Sequence, residues 1–195
     1  MIDITEKIYA KIKSAMETWN EDGIYAISFF VYSNECYEYR NFTNVSLFAV
    51  SYNTEKDCEG ADLYDEERWN YAFWRQNETW IINPDEPNEL NDLLFDWYAE
   101  NGITNIGEED ENCYDENGDY IGKGPVGHYE LLQIASAVAK RLQQEGFTEK
   151  HFGKPLPIII HGLEYAWHDI EATKNANING EADTFITAMK KLGMI

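Results

Sequence analysis

Two hydrophobic periods run along this chain, and the places where one gives way to the other mark its elements. Ile8, Ile12, Ala15, Met16 and Trp19 recur at helical spacing. They predict a first helix, capped near Asp3 or Thr5 and ended by Gly23. Residues 24–32 (IYAISFFVY) are aromatic and β-branched and read as a buried strand. Residues 37–42 read as a second strand. Residues 45–52 (VSLFAVSY) read as a third, with Val45, Leu47, Ala49 and Ser51 on one face. The links between them are too short for crossover helices, so an antiparallel meander is expected.

Residues 62–76 read as a helix opened by Asp62 or Asp65, with Trp69, Ala72 and Phe73 inward. Thr79 to Ile82 is a short strand closed by Asn83-Pro84. Leu90, Leu93, Leu94, Trp97 and Tyr98 give a helical face that Asn88 can cap and Gly102 can end. Asn117-Gly118, between Cys113-Tyr114 and Tyr120-Ile121, is the signal of a two-residue hairpin turn. Leu131, Ala135, Val138, Ala139 and Leu142 form the stripe of the strongest helix, with Pro125 in its first turn and Gly146 at its end. Leu156 to His161 is a late strand that Pro157 places at a sheet edge or a strand start. Leu163, Ala166, Trp167 and Ile170 lead into a helix, and Phe185, Ala188, Met189 and Leu192 define a last one stopped by Gly193. The expectation is one α+β domain over residues 1–195. It has a central, largely antiparallel sheet packed by about five to six helices, and an acidic hairpin or loop at about 105–123.

Charge changes this picture more than composition does. The net charge is -21, and residues 51–120 hold 21 of the 36 acidic residues against three basic ones. From Gln76 to Gly122 there is no Lys or Arg, but there are 14 carboxylates. Such a field repels nucleic acid and anionic membrane and attracts basic partners. Hydrophobic residues make up 44% of the chain, too many for a disordered acidic tail, so the acid is displayed on a folded body. Aromatics are dense around Glu66 to Trp74, more than one helix face can bury, which makes Tyr71 and Trp74 candidate exposed anchors. No apolar run reaches the roughly 18 residues of a membrane span, and residues 1–19 lack a signal-peptide core. Three widely spaced cysteines suggest reduced thiols. A cytoplasmic location is expected.

Candidate chemistry is sparse. His161, Glu164, His168 and Asp169 are the one local clustering of metal-type ligands, but their spacing fits neither HExxH nor its inverted form. Read as helical, His161, Glu164 and His168 share a face; Gly162 argues instead that His161 ends a strand. Calcium-loop registers starting at Asp110 or Asp115 lack both the glycine at position 6 and the glutamate at position 12. There is no GxSxG, and Cys113 sits among carboxylates that disfavour a thiolate nucleophile. The run 122–127 lacks the Lys-Ser/Thr ending of a phosphate loop. No catalytic residue, resident metal or cofactor is expected.

The strand at 24–32, ERWNYAFW at 67–74, GPVGHYELL at 124–132 and IIIHGLEYAWHDIEAT at 158–173 together resemble small uncharacterised bacterial proteins, mostly of Gram-positive organisms. These are of the kind found among immunity proteins of polymorphic toxin systems. The resemblance covers most of the chain. It implies a cytoplasmic α+β protein that binds and blocks a cognate toxin domain, and it supplies no catalytic residues. Glu108, Glu109, Asp110, Glu111, Asp115, Glu116 and Asp119, with Tyr71 and Trp74, are the expected contact surface for such a basic partner. The two other readings are an adaptor that binds a different basic protein and a metal-dependent hydrolase built on residues 161–169.

Overall fold

Two long apolar strands set the frame. In the computed structural model, which describes residues 3–58, 60–109 and 112–195, β1 (Ile24–Ser33) pairs antiparallel with β2 (Ser46–Thr54). A short strand, β3 (Thr79–Ile82), adds to β2 antiparallel. The late strand β4 (Ile158–His161) adds to the other side of β1, in parallel. The order is therefore β3-β2-β1-β4. The helices are α1 (Ile4–Met16), α2 (Glu66–Trp69), α3 (Glu89–Glu100), α4 (His128–Gln144), α5 (Phe147–Phe152), α6 (Trp167–Ala176) and α7 (Asp183–Leu192). A 3-10 turn spans Tyr71–Phe73.

Both faces of the sheet are covered, which is why β1 and β2 read as continuous apolar runs. On one face Ile27, Phe29, Val31, Phe48, Val50, Ile158 and Ile160 pack with α1, α3 and α4. On the other, Ala26, Phe30, Leu47 and Ile159 pack with Trp69, Tyr71, Trp74 and the Phe185, Ala188, Met189 stripe of α7. Local chemistry explains the helix ends. The Asp3 side chain accepts the Glu6 N–H at 3.0 Å to start α1. Asn88 caps α3, and Asn91 reaches back to the Asn88 N–H. Gly146 and Gly193 follow α4 and α7 in the left-handed conformation.

The α+β expectation holds, with seven helices among the described residues and a mixed sheet. Two of its three pairings are antiparallel. Several local expectations are corrected. Residues 37–42 form no strand, only a single bridge between Tyr39 and Phe42, so β1 and β2 are joined by a long loop with no strand between them. Val45 precedes β2 and packs on the face opposite to Leu47. α1 stops at Met16, well before Gly23. Pro125 lies ahead of α4, whose N-cap is Gly127.

The helix expected over 62–76 breaks at Asn70, whose extended backbone ends α2 and whose side chain accepts the Ala72 N–H to start the 3-10 turn. That break rotates the following residues. Tyr71 and Trp74 turn inward, while Ala72 and Phe73 face solvent, the reverse of the helical reading.

Candidate functional site

The parallel pair points the carboxyl ends of β1 and β4 the same way, a place where open sheets leave a crevice. Here a cleft of about 780 Å³ opens there. Its walls are the end of β1 (Val31–Ser33), the loop from Gly162 into α6, the first residue of α4, and the hairpin around Tyr114 and Tyr120.

Glycines bring these walls together. Gly124 has φ +73°, and a Cβ there would meet the His128 ring at 2.7 Å. Gly127, also left-handed, caps α4 with its N–H on the Glu130 carboxylate, and its carbonyl accepts the buried Tyr98 hydroxyl. The turn therefore delivers His128 to the cleft floor at a fixed angle.

Three buried groups meet on that floor. His128, His168 and Asp169 each offer a ligand atom, and the three atoms lie within 4.8 Å of one another. Ser46 Oγ stands 3.1 Å from His128 Nδ1. Asp169 Oδ2 accepts the Ala166 N–H at 3.0 Å, as a residue in the first turn of α6 should. Its Oδ1 has no hydrogen-bond partner among the described residues, and neither has His168 Nδ1. His168 Nε2 and Asp169 Oδ1 are 3.9 Å apart, too far for a hydrogen bond.

Burial disfavours the charged form of all three groups. It pushes the His128 imidazole down to about 4, with His168 adding to the effect. It lowers His168 too, and it pushes the Asp169 carboxyl up to about 7 against the pull of the Ala166 and Gly162 N–H groups. Orphaned polar atoms at nine-tenths burial are rare in a folded core, and these lie in one cleft.

The rim is unlike the floor. Tyr114 (66% exposed), Leu163 (61%) and Trp167 (41%) present apolar surface to solvent. The exposed carboxylates of Glu116, Asp119 and Glu164 stand among them in the sequence. Trp167 is fixed in place by its indole N–H, which donates to the Gly122 carbonyl at 2.9 Å. The hairpin is ordered by its own acid. The Asp115 carboxylate accepts the N–H groups of Asn117 and Asp119, and the Gly118 N–H closes onto the Asp115 carbonyl. These bonds hold the Asp115 carboxyl below its ordinary value. The turn is thus longer than the two-residue form expected, with one bridge between Tyr114 and Tyr120 above it.

Of the expected contact residues, Glu108, Glu109, Glu116 and Asp119 are exposed, and Asp115 is half-buried and engaged in the turn. Asp110 and Glu111 lie outside the described residues. Tyr71 and Trp74 are not exposed anchors but core: they lie against His161 on the far face of the sheet, with ring centroids at 4.6 and 6.4 Å. Phe73 and Trp80 are exposed in their place. The expected ligand run 161–169 also splits. His161 ends β4 and turns towards Ser28, and Glu164 is in an exposed loop. Only His168 and Asp169 reach the cleft floor, where they meet a histidine the sequence did not single out. Among the described residues, no helix is long and apolar enough to cross a membrane. No protein-family model, curated protein or solved structure matches the chain.

Proposed function

We propose that this protein is a non-catalytic binder that neutralises a basic bacterial toxin domain by covering it with the acidic hairpin and the cleft rim beside it. One observation carries the reading: an ordered, carboxylate-rich hairpin sets exposed Tyr114 on the same cleft as exposed Trp167 and Leu163. Aromatic anchors within a charged rim are how interfaces concentrate binding energy. The acid of residues 51–120 would steer a basic partner, with association that can reach about 10^8–10^9 per molar per second at low salt. An adaptor for some other basic protein would use the same surface; the sequence resemblance favours the toxin.

The test is growth rescue by this protein of cells expressing basic bacterial toxin domains, with any encoded beside its gene tried first, followed by binding kinetics of the purified pair. Joint charge reversal at Glu109, Glu116 and Asp119 should slow association and flatten its salt dependence. Tyr114→Ala and Trp167→Ala should speed dissociation. A protein that rescues nothing, or variants with unchanged kinetics on a confirmed partner, would refute the assignment.

A further inference from the structure

We infer that His128, His168 and Asp169 form a binding site for one divalent transition-metal ion at the floor of the cleft. The donor set is two imidazoles and one carboxylate from two places in the chain, brought within 4.8 Å of one another. That combination with open positions suits zinc, iron(II) or cobalt, whereas calcium and magnesium prefer all-oxygen shells.

Three further observations point to a ligand. First, His168 Nδ1 and Asp169 Oδ1 are buried atoms with no hydrogen-bond partner among the described residues, in residues only 4% and 2% exposed. Leaving such atoms unpaired is unfavourable unless something binds them. Second, the supporting contacts resemble those of metal sites: Ser46 holds His128 Nδ1 and so leaves Nε2 for a ligand, and the Ala166 N–H holds Asp169 Oδ2. Third, all three residues line the cleft, so an ion has an entry path and a side open to a further ligand.

A tetrahedral shell with bonds of about 2.0 Å puts neighbouring ligand atoms roughly 3.3 Å apart. The three ligand atoms here lie within 4.8 Å of one another, so an ion would draw them together by up to about 1.5 Å. The site does not depend on the toxin-binding reading. It also differs from the run expected from sequence, since His161 and Glu164 take no part and His128 does.

The experiment is a cobalt(II) titration of the full chain after chelator treatment and dialysis, followed by visible absorption and by calorimetry. One equivalent should bind, with ligand-field bands that zinc displaces and that excess calcium or magnesium leaves intact. His128→Gln and His168→Gln should each weaken binding at least about tenfold, while Glu116→Gln with Asp119→Asn should leave it unchanged. Melting curves in chelator confirm that each variant folds, and Asp169→Asn replaces any that does not. Absence of saturable one-to-one binding by the unaltered protein would overturn the assignment. So would binding that survives both histidine substitutions, or binding that calcium or magnesium competes away, which would trace it to surface carboxylates. Neither result touches growth rescue, so this site and the toxin reading fail separately.

Discussion

Ser28 Oγ lies 2.7 Å from His161 Nε2 at the centre of the sheet, and both residues are shut off from solvent. The other ring nitrogen, Nδ1, is 2.7 Å from the Gly162 carbonyl. A carbonyl can only accept, so Nδ1 carries the proton and the Ser28 hydroxyl donates to Nε2. Burial pushes this imidazole down to about 4. It is a neutral, fully bonded core histidine, and Ser28 has no route to a substrate. Ser28→Ala would leave Nε2 without a donor in a dry site, at a loss of about 1–3 kcal/mol. A urea denaturation midpoint equal to that of the unaltered protein would contradict this account.

Stability should respond to pH with opposing contributions from the buried histidines and from Asp169. Burial lowers His128 and His161 from the ordinary 6.5 to about 4. The unfolded chain therefore takes up those protons first, and stability is lost as pH falls from 6.5 towards 4. Asp169 is raised from 3.8 to about 7. The unfolded chain releases that proton first, so stability is lost as pH rises between those values. In metal-free buffer, Asp169→Asn removes only the second contribution. Relative to the unaltered protein the variant should gain stability between pH 4 and 7, by at most about 4 kcal/mol, and hold the gain above 7. Paired melts from pH 4 to 8 measure it; a difference that does not vary with pH would show that the carboxyl titrates normally.

Gly107 anchors the base of the acidic hairpin. Its N–H donates to the Val126 carbonyl, and its own carbonyl accepts from the Asn44 side chain. It has φ +87°, and a Cβ there would come within 1.8 Å of the Thr43 carbonyl oxygen. Gly118, at the hairpin tip, has φ +85° with open space around it. Alanine at either position pays the left-handed backbone penalty of roughly 1–2 kcal/mol. Only Gly107→Ala must also move a backbone, so it should lose clearly more stability than Gly118→Ala. Equal urea midpoints for the two variants would mean that the 43–45 loop yields without cost.

The elements legible in the sequence were those whose burial is local and periodic. The stripes of α1, α3, α4 and α7 each face one layer, and β1 and β2 announce themselves by continuous apolar composition. What failed was decided elsewhere. The 62–76 segment has enough apolar residues for a helix, yet the Asn70 side chain bonds its own backbone and turns Tyr71 and Trp74 to opposite sides from those a helix would choose. The candidate metal floor was half visible. His168 and Asp169 sit in the run that drew attention, but His128 arrives from another helix by way of glycine turns, and no spacing rule links the two segments. Its one local signal was the cluster of glycines at 122–127, read from sequence as punctuation.

β4 is an edge strand, and edge strands present unpaired backbone groups. Here side chains of and next to α6 take the place of a fifth strand. Asn177 donates to the Ile158 carbonyl at 2.8 Å and accepts the Ile158 N–H at 3.0 Å. One turn earlier, Thr173 Oγ1 accepts the Ile160 N–H at 2.9 Å and donates to the Ile160 carbonyl at 3.0 Å. The two side chains thus pair every group that alternate residues of β4 point outward. Thr173→Val keeps the shape and removes both bonds, leaving a buried N–H and a carbonyl unpaired. Each orphaned group is worth about 1–3 kcal/mol, so the variant should fall well below the unaltered protein in urea. Thr173→Ser, which keeps the hydroxyl, should recover most of the difference. If serine loses the stability and valine keeps it, packing of the methyl group rather than pairing of the strand edge holds α6 in place.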